Sequence, residues 1–180
     1  MNSEFENDLR ESCECAASFL REKHRKYNDK AGLEGPDRLY SGESEFVAEA
    51  YRLLIKKDPS YKDKLIVEAI RPDKGEVTRK EIPDLVYRNR KREKNVIEAK
   101  APVNQRANGS ELPKKMDEKY IRIDYEKLQH NYDQFDTKIL IVAYLGDLIF
   151  KGKKEFPLEK FKKRLHKNLP DKGTIKVIVC

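Results

Sequence analysis

The chain has 180 residues, enough for one ordinary domain with a buried core and too few for two well-developed ones. Lysine and arginine (39) outnumber aspartate and glutamate (32), giving a formal charge of +7, and the isoelectric point is about 9.1. A basic surplus favours a polyanionic partner, though the same surplus also fits an ordinary basic protein.

The apolar residues are gathered into runs such as Ile139 to Leu145, which argues against disorder despite 39% charged residues. The three cysteines, Cys13, Cys15 and Cys180, form neither an even disulfide framework nor a zinc set, so a reducing, cytoplasmic setting is expected. His24, His130 and His166 are scattered without metal-ligand spacing. The acidic, polar N-terminus and the lack of a long apolar run predict neither a secretion signal nor a membrane anchor.

In chain order, Phe5, Leu9, Cys13, Ala16, Phe19 and Leu20 recur at helical spacing and predict an amphipathic helix over 4–26, packed on or beside a core of 44–180. The basic stretch from Lys23 to Arg38 follows as a loop. A second helix is expected from Ser44 as its N-cap, with Phe46, Val47, Ala50, Leu53 and Leu54 on one face and a stop at Asp58-Pro59. Three strands follow at Leu65–Ile70, Ile82–Tyr87 and Asn95–Ala101, the first two separated by the turn residues Pro72 to Gly75. Pro102 to Met116 is predicted as a mobile loop. A helix over Tyr120–Phe135, a strand over Ile139–Leu145, a helix near Leu158–His166 and a strand over Thr174–Val179 complete the chain. The predicted fold is α/β, a single domain in which a central mixed sheet is flanked by helices in an αβββαβ core.

Between Ile82 and Ala101 two apolar strands flank a polar, basic connector, the layout of a β-hairpin. A turn centred on Lys91 pairs Leu85 with Ile97 and Val86 with Val96, and sets Asp84 opposite Glu98. Strand alternation then puts Asp84, Val86, Val96, Glu98 and Lys100 on one face, and Leu85, Tyr87, Ile97, Ala99 and Ala101 on the other. Two carboxylates with Cβ atoms roughly 5 Å apart repel unless a cation lies between them, and Mg²⁺ takes one or two protein carboxylates plus phosphate oxygens. Lys100 on the same face can orient a nucleophile or offset developing charge. An ordinary ion-pair network at a strand end uses the same residue types. A second [DE]-x-K string, Asp117 to Lys119, falls in the expected loop and lacks a partner strand.

Pro83-Asp84, thirteen intervening residues and Glu98-Ala99-Lys100 resemble the PD-(D/E)XK nuclease superfamily. Val96 to Pro102 is most similar to the N-terminal nuclease domain of type I restriction enzyme motor subunits and their stand-alone relatives. No G-x-x-x-x-G-K-[ST] loop accompanies it, so no motor is expected. The resemblance implies a restriction-endonuclease-like sandwich and a Mg²⁺-dependent endonuclease acting on DNA, with Mn²⁺ as a substitute metal. It implies Asp84, Glu98, Lys100 and Gln129 as catalytic residues and Asp84, Glu98, Ala99 and a helix glutamate as metal contacts. Glu45 is the first choice for that glutamate and Glu49 its rival. Gln129 and Tyr132 are three apart where several family members have four, and Tyr132 lies on an apolar stripe suited to the core. Arg88, Arg90, Lys91 and Arg92 at the hairpin tip either contact phosphates or form a soluble turn. Other readings are a non-catalytic nucleic-acid-binding module, a homodimer or subunit of a restriction or repair complex, and an enzyme acting on RNA.

Overall fold

The computed structural model describes residues 3–33, 42–67, 84–88, 94–101, 116–145, 149–150, 154–155, 159, 162–163, 165, 167, 169 and 175–180. Its elements are α1 (Ser3–Ala31), α2 (Glu43–Lys57), a 3-10 turn (Pro59–Asp63), β1 (Leu65–Val67), β2 (Leu85–Arg88), β3 (Lys94–Lys100), α3 (Met116–His130), β4 (Thr137–Val142), β5 (Ile149–Phe150), β6 (Lys154–Glu155) and β7 (Ile175–Val179). The chain is thus mixed α/β. A five-stranded sheet has the order β1-β2-β3-β4-β7, and β5 pairs with β6 in a separate ribbon.

The sheet is antiparallel on one side and parallel on the other. β1, β2 and β3 run as a meander, with Leu85 paired to Ile97 and Val86 to Val96, as the hairpin register predicts. β3 and β4 are parallel and β4 and β7 are parallel, which fits their near-continuous burial, since parallel strands are covered on both faces. Alternation assigns each face its core. Leu85, Tyr87, Ile97, Ala99, Ile139, Ile141 and Ile178 pack with Phe5, Leu9, Leu20, Phe46 and Leu54 of α1 and α2. Val96, Leu140, Val142 and Val177 pack on the opposite face with Ile121, Tyr125 and Leu128 of α3 and with Leu165 and Leu169.

Helix α1 is part of this core. Phe5 stacks on Tyr87 with ring centroids 3.7 Å apart, Tyr61 meets both rings edge-on, and the Tyr61 hydroxyl donates to Asp8 at 2.7 Å. The helix also runs five residues beyond its expected end at Lys26, to Ala31, because Asn28 is buried and Gly32, at φ 63°, supplies the left-handed turn that ends it. The stretch expected as loop is therefore helical as far as Ala31, and residues 34–41 lie outside those described.

The other two helices also differ in their boundaries. Helix α2 begins at Glu43 with Gly42 as N-cap and no side-chain cap, so Ser44 lies inside it. Helix α3 starts at Met116, which makes Asp117–Lys119 its first turn, and stops at His130 although the apolar stripe continues. The buried Lys138 side chain from β4 explains the stop. Its ammonium donates to the Gln129 carbonyl at 3.4 Å and to Asp133 at 3.2 Å, occupying a carbonyl that a helix end leaves unpaired. Most of the loop expected over Pro102–Met116 falls outside the described residues.

Candidate active site

The hairpin strands, the start of α2 and α3 bring charged side chains and one phenol together at the end of the sheet where β3 finishes. Asp84 immediately precedes β2, and its Oδ2 accepts a hydrogen bond from the Ala99 main-chain N–H at 2.6 Å. Glu98, third from the end of β3, is 3% exposed and points to the α3 side along with Val96. Its Oε1 accepts the Tyr132 O–H at 2.7 Å and lies 2.7 Å from the Lys127 ammonium. Lys100 points the same way and reaches Glu43 Oε2 at 2.9 Å and Asp124 Oδ2 at 3.1 Å, joining the start of α2 to the middle of α3.

The electrostatics of this cluster follow from burial. Loss of solvent pushes the Asp84 carboxyl up to about 6; the Ala99 N–H and the Lys127 charge oppose the shift and the charges of Glu43 and Asp124 add to it. Burial likewise pushes Glu98 up to about 7, against the pull of Lys127 and Tyr132, and it raises Asp124. Burial acts to lower the Lys100 pKa, but Glu43 and Asp124 outweigh it and hold the ammonium above its usual range. Four carboxylates (Glu43, Asp84, Glu98, Asp124) against two ammoniums (Lys100, Lys127) leave two negative charges when all are ionised.

The structure thus brings together Asp84, Glu98 and Lys100, with the Ala99 main chain between them. Other expected residues lie elsewhere. Glu45 pairs with Lys23 at 2.5 Å and approaches His24 at 3.7 Å, both on α1. Glu49 is bound by Arg52 at 2.6 Å, which holds its carboxyl below the usual range. Glu43 is the α2 glutamate at the site. Two residues of helix advance the side chain by about 200°, so Glu43 and Glu45 point in nearly opposite directions. Gln129 follows Lys127 by the same two residues, which turns it away from Glu98, while its main-chain carbonyl accepts from Lys138. Arg88 is exposed at the end of β2, where its main-chain N–H donates to the Lys64 carbonyl at 2.9 Å, and Arg90, Lys91 and Arg92 lie outside the described residues.

Sequence reasoning missed Glu43, Asp124 and Lys127, and weighed Tyr132 as the partner of Gln129 but favoured a place in the core. Asp124 and Lys127 are three apart and flank the apolar Tyr125–Leu128 pair, so they share the rim of the helix face that covers the sheet. That spacing is available in the sequence; which strand position the rim meets is not. Tyr132 is fully buried, yet it serves both roles, with its ring in the core and its hydroxyl on Glu98.

The donor chemistry suits a hard divalent cation. Asp84 and Glu98 offer carboxylate oxygens in a place where burial penalises their charge, within a cluster whose fully ionised form is negative. Among the described residues no three His, Cys, Asp or Glu side chains are grouped closely enough to hold an ion by themselves. An ion here would therefore rest on two carboxylates, with main-chain, water or phosphate oxygens completing its shell, which is the usual manner of Mg²⁺. No protein-family model, no curated protein and no solved structure matches the chain, so assignment of a function rests on these residues alone.

Proposed function

We propose that this chain is a divalent-metal-dependent phosphodiesterase acting on DNA, of the PD-(D/E)XK type, and that its sheet and helices form a restriction-endonuclease-like sandwich. The observation that carries the reading is the placement of Asp84, Glu98 and Lys100 on one face of a hairpin whose register follows from apolar pairing alone. The net positive charge of the chain supports a polyanionic substrate.

Bound Mg²⁺ or Mn²⁺ would supply Lewis acidity and a water of lowered pKa. The chain's own residues have distinct tasks. Asp84 and Glu98 would hold the ion, Asp84 oriented by the Ala99 N–H and Glu98 by the Tyr132 hydroxyl. Lys100 is partly exposed, with 27% of its side chain accessible, so its ammonium can meet a phosphate at the rim. Because Glu43 and Asp124 hold it protonated, Lys100 acts as a fixed positive charge that stabilises the developing oxyanion and not as a proton acceptor.

The test is cleavage of linear, nicked, branched and single-stranded DNA, with matched RNA, in Mg²⁺ or Mn²⁺. Wild type cleaves at least one substrate, EDTA stops it, and Asp84→Ala, Glu98→Gln and Lys100→Ala each abolish or severely reduce it. Salt-sensitive DNA binding that persists in EDTA, with no cleavage by wild type of any substrate, points instead to a non-catalytic binding module.

A further inference from the structure

We propose that Lys127 is a built-in counter-cation that occupies the Glu98 carboxylate in the metal-free protein and is displaced from it when a divalent ion binds; this rests on the metal-dependent reading above. Its ammonium lies 2.7 Å from Glu98 Oε1, with 13% of the Lys127 side chain and 4% of the Glu98 side chain exposed. A charge pair this enclosed is well beyond the ordinary surface ion pair, since both partners have lost most of their water. The same ammonium lies 5.7 Å from the Tyr132 ring centroid, so one aromatic residue supports both members: the ring faces the cation and the hydroxyl bonds the carboxylate.

Three features point to exchange rather than a permanent pair. The ammonium sits on a carboxylate that, with Asp84, would serve the metal, and a divalent ion on that carboxylate repels it with twice the force of a monovalent one. Lysine is suited to leaving, because its charge is strongly hydrated and carried on a flexible four-carbon stem, unlike the planar fork of arginine. The Tyr132 hydroxyl remains to keep Glu98 oriented after Lys127 moves. Lys127 is accordingly a positioning residue. It holds the buried carboxylate in place until the metal arrives.

The measurement is trace acetylation of the full-length protein with acetic anhydride, read residue by residue by mass spectrometry. Lys26, with 74% of its side chain exposed, serves as the internal reference. In metal-free buffer Lys127 is labelled much more slowly than Lys26. Saturating Mg²⁺ raises the Lys127 rate several-fold in wild type and leaves it unchanged in Asp84→Ala. In Glu98→Gln the amine is labelled fast with or without Mg²⁺. Calorimetric titration of wild type with Mg²⁺, run in parallel, separates the outcomes. Wild type that binds Mg²⁺ and cleaves DNA while Lys127 labelling stays constant overturns the exchange and leaves the nuclease reading standing. A rise in Asp84→Ala equal to that in wild type overturns it as well. Wild type that neither binds Mg²⁺ nor cleaves removes the nuclease reading, and the exchange with it.

Discussion

The substitution Asp84→Asn separates a site built for a cation from a structural ion-pair network. Asparagine keeps the shape of the side chain and an oxygen able to accept the Ala99 N–H at the position of Asp84 Oδ2, while removing the charge. The Asp84 carboxyl is pushed from 3.8 up to about 6, chiefly by burial, so the folded protein holds this proton more tightly than the unfolded chain does. The stability contribution is therefore complete below pH 3.8, is lost as pH rises through the interval from 3.8 to 6, and stays lost above it. A displacement of that size corresponds to about 3 kcal/mol, an upper figure because neighbouring carboxylates share the effect. In metal-free buffer at pH 8, Asp84→Asn should be the more stable protein by up to this amount, or roughly 6–12 °C in Tm for a chain of this length. Near pH 4 the difference should largely vanish. Thermal unfolding followed by circular dichroism at the two pH values is the assay. An Asp84→Asn protein less stable than wild type at pH 8 would show that the carboxylate is stabilised by cationic partners, refuting the reasoning.

Other expectations are simpler. Tyr132→Phe deletes the donor to a charged carboxylate and should cost roughly 1.5–3 kcal/mol by chemical denaturation, with reduced cleavage because Glu98 loses its orientation. Glu98→Ala should destabilise the metal-free protein, because it removes both the carboxylate 2.7 Å from the Lys127 ammonium and the acceptor of the Tyr132 hydroxyl, and Glu98→Gln should be milder since it retains an acceptor for Tyr132; equal melting temperatures for the two would argue against a buried pair. Phe5→Ala removes a fully buried ring stacked on Tyr87 and should cost about 3–5 kcal/mol, confirming by unfolding that α1 belongs to the core.

The hairpin is legible in the sequence because its information is local and periodic. Leu85, Val86, Val96 and Ile97 allow a register in which apolar residues meet, and a slip of one residue would reverse the faces of all of them. The amphipathic stripe of α1 is equally clear for Phe5, Leu9, Cys13, Ala16 and Leu20, which are all buried, while Phe19, expected on the same stripe, is 53% exposed because the buried face is centred on Ala16, Ala17 and Leu20. Helix ends are less clear because tertiary groups decide them. Lys138 on β4 meets the last turn of α3, and Gly42 rather than the better capping residue Ser44 starts α2. The site glutamate is Glu43 and not Glu45, because two residues of helix nearly reverse the direction of a side chain and which of the two meets Lys100 depends on how α2 packs. Lys127 and Asp124 are unreadable as site residues for a related reason. Helical spacing gives their rim position on α3, while their meeting with Glu98 and Lys100 depends on how α3 lies across β3, which is set by packing of Tyr125 and Leu128 against the sheet.

Whether Asp84 and Glu98 share a divalent ion is read most directly by anomalous X-ray scattering from a crystal of the protein grown with Mn²⁺. A manganese peak is expected within coordinating distance of both carboxylates, with the Lys127 ammonium moved off Glu98. A fully manganese-equilibrated crystal with no peak there, and Lys127 still paired with Glu98, would contradict both the shared ion and the exchange.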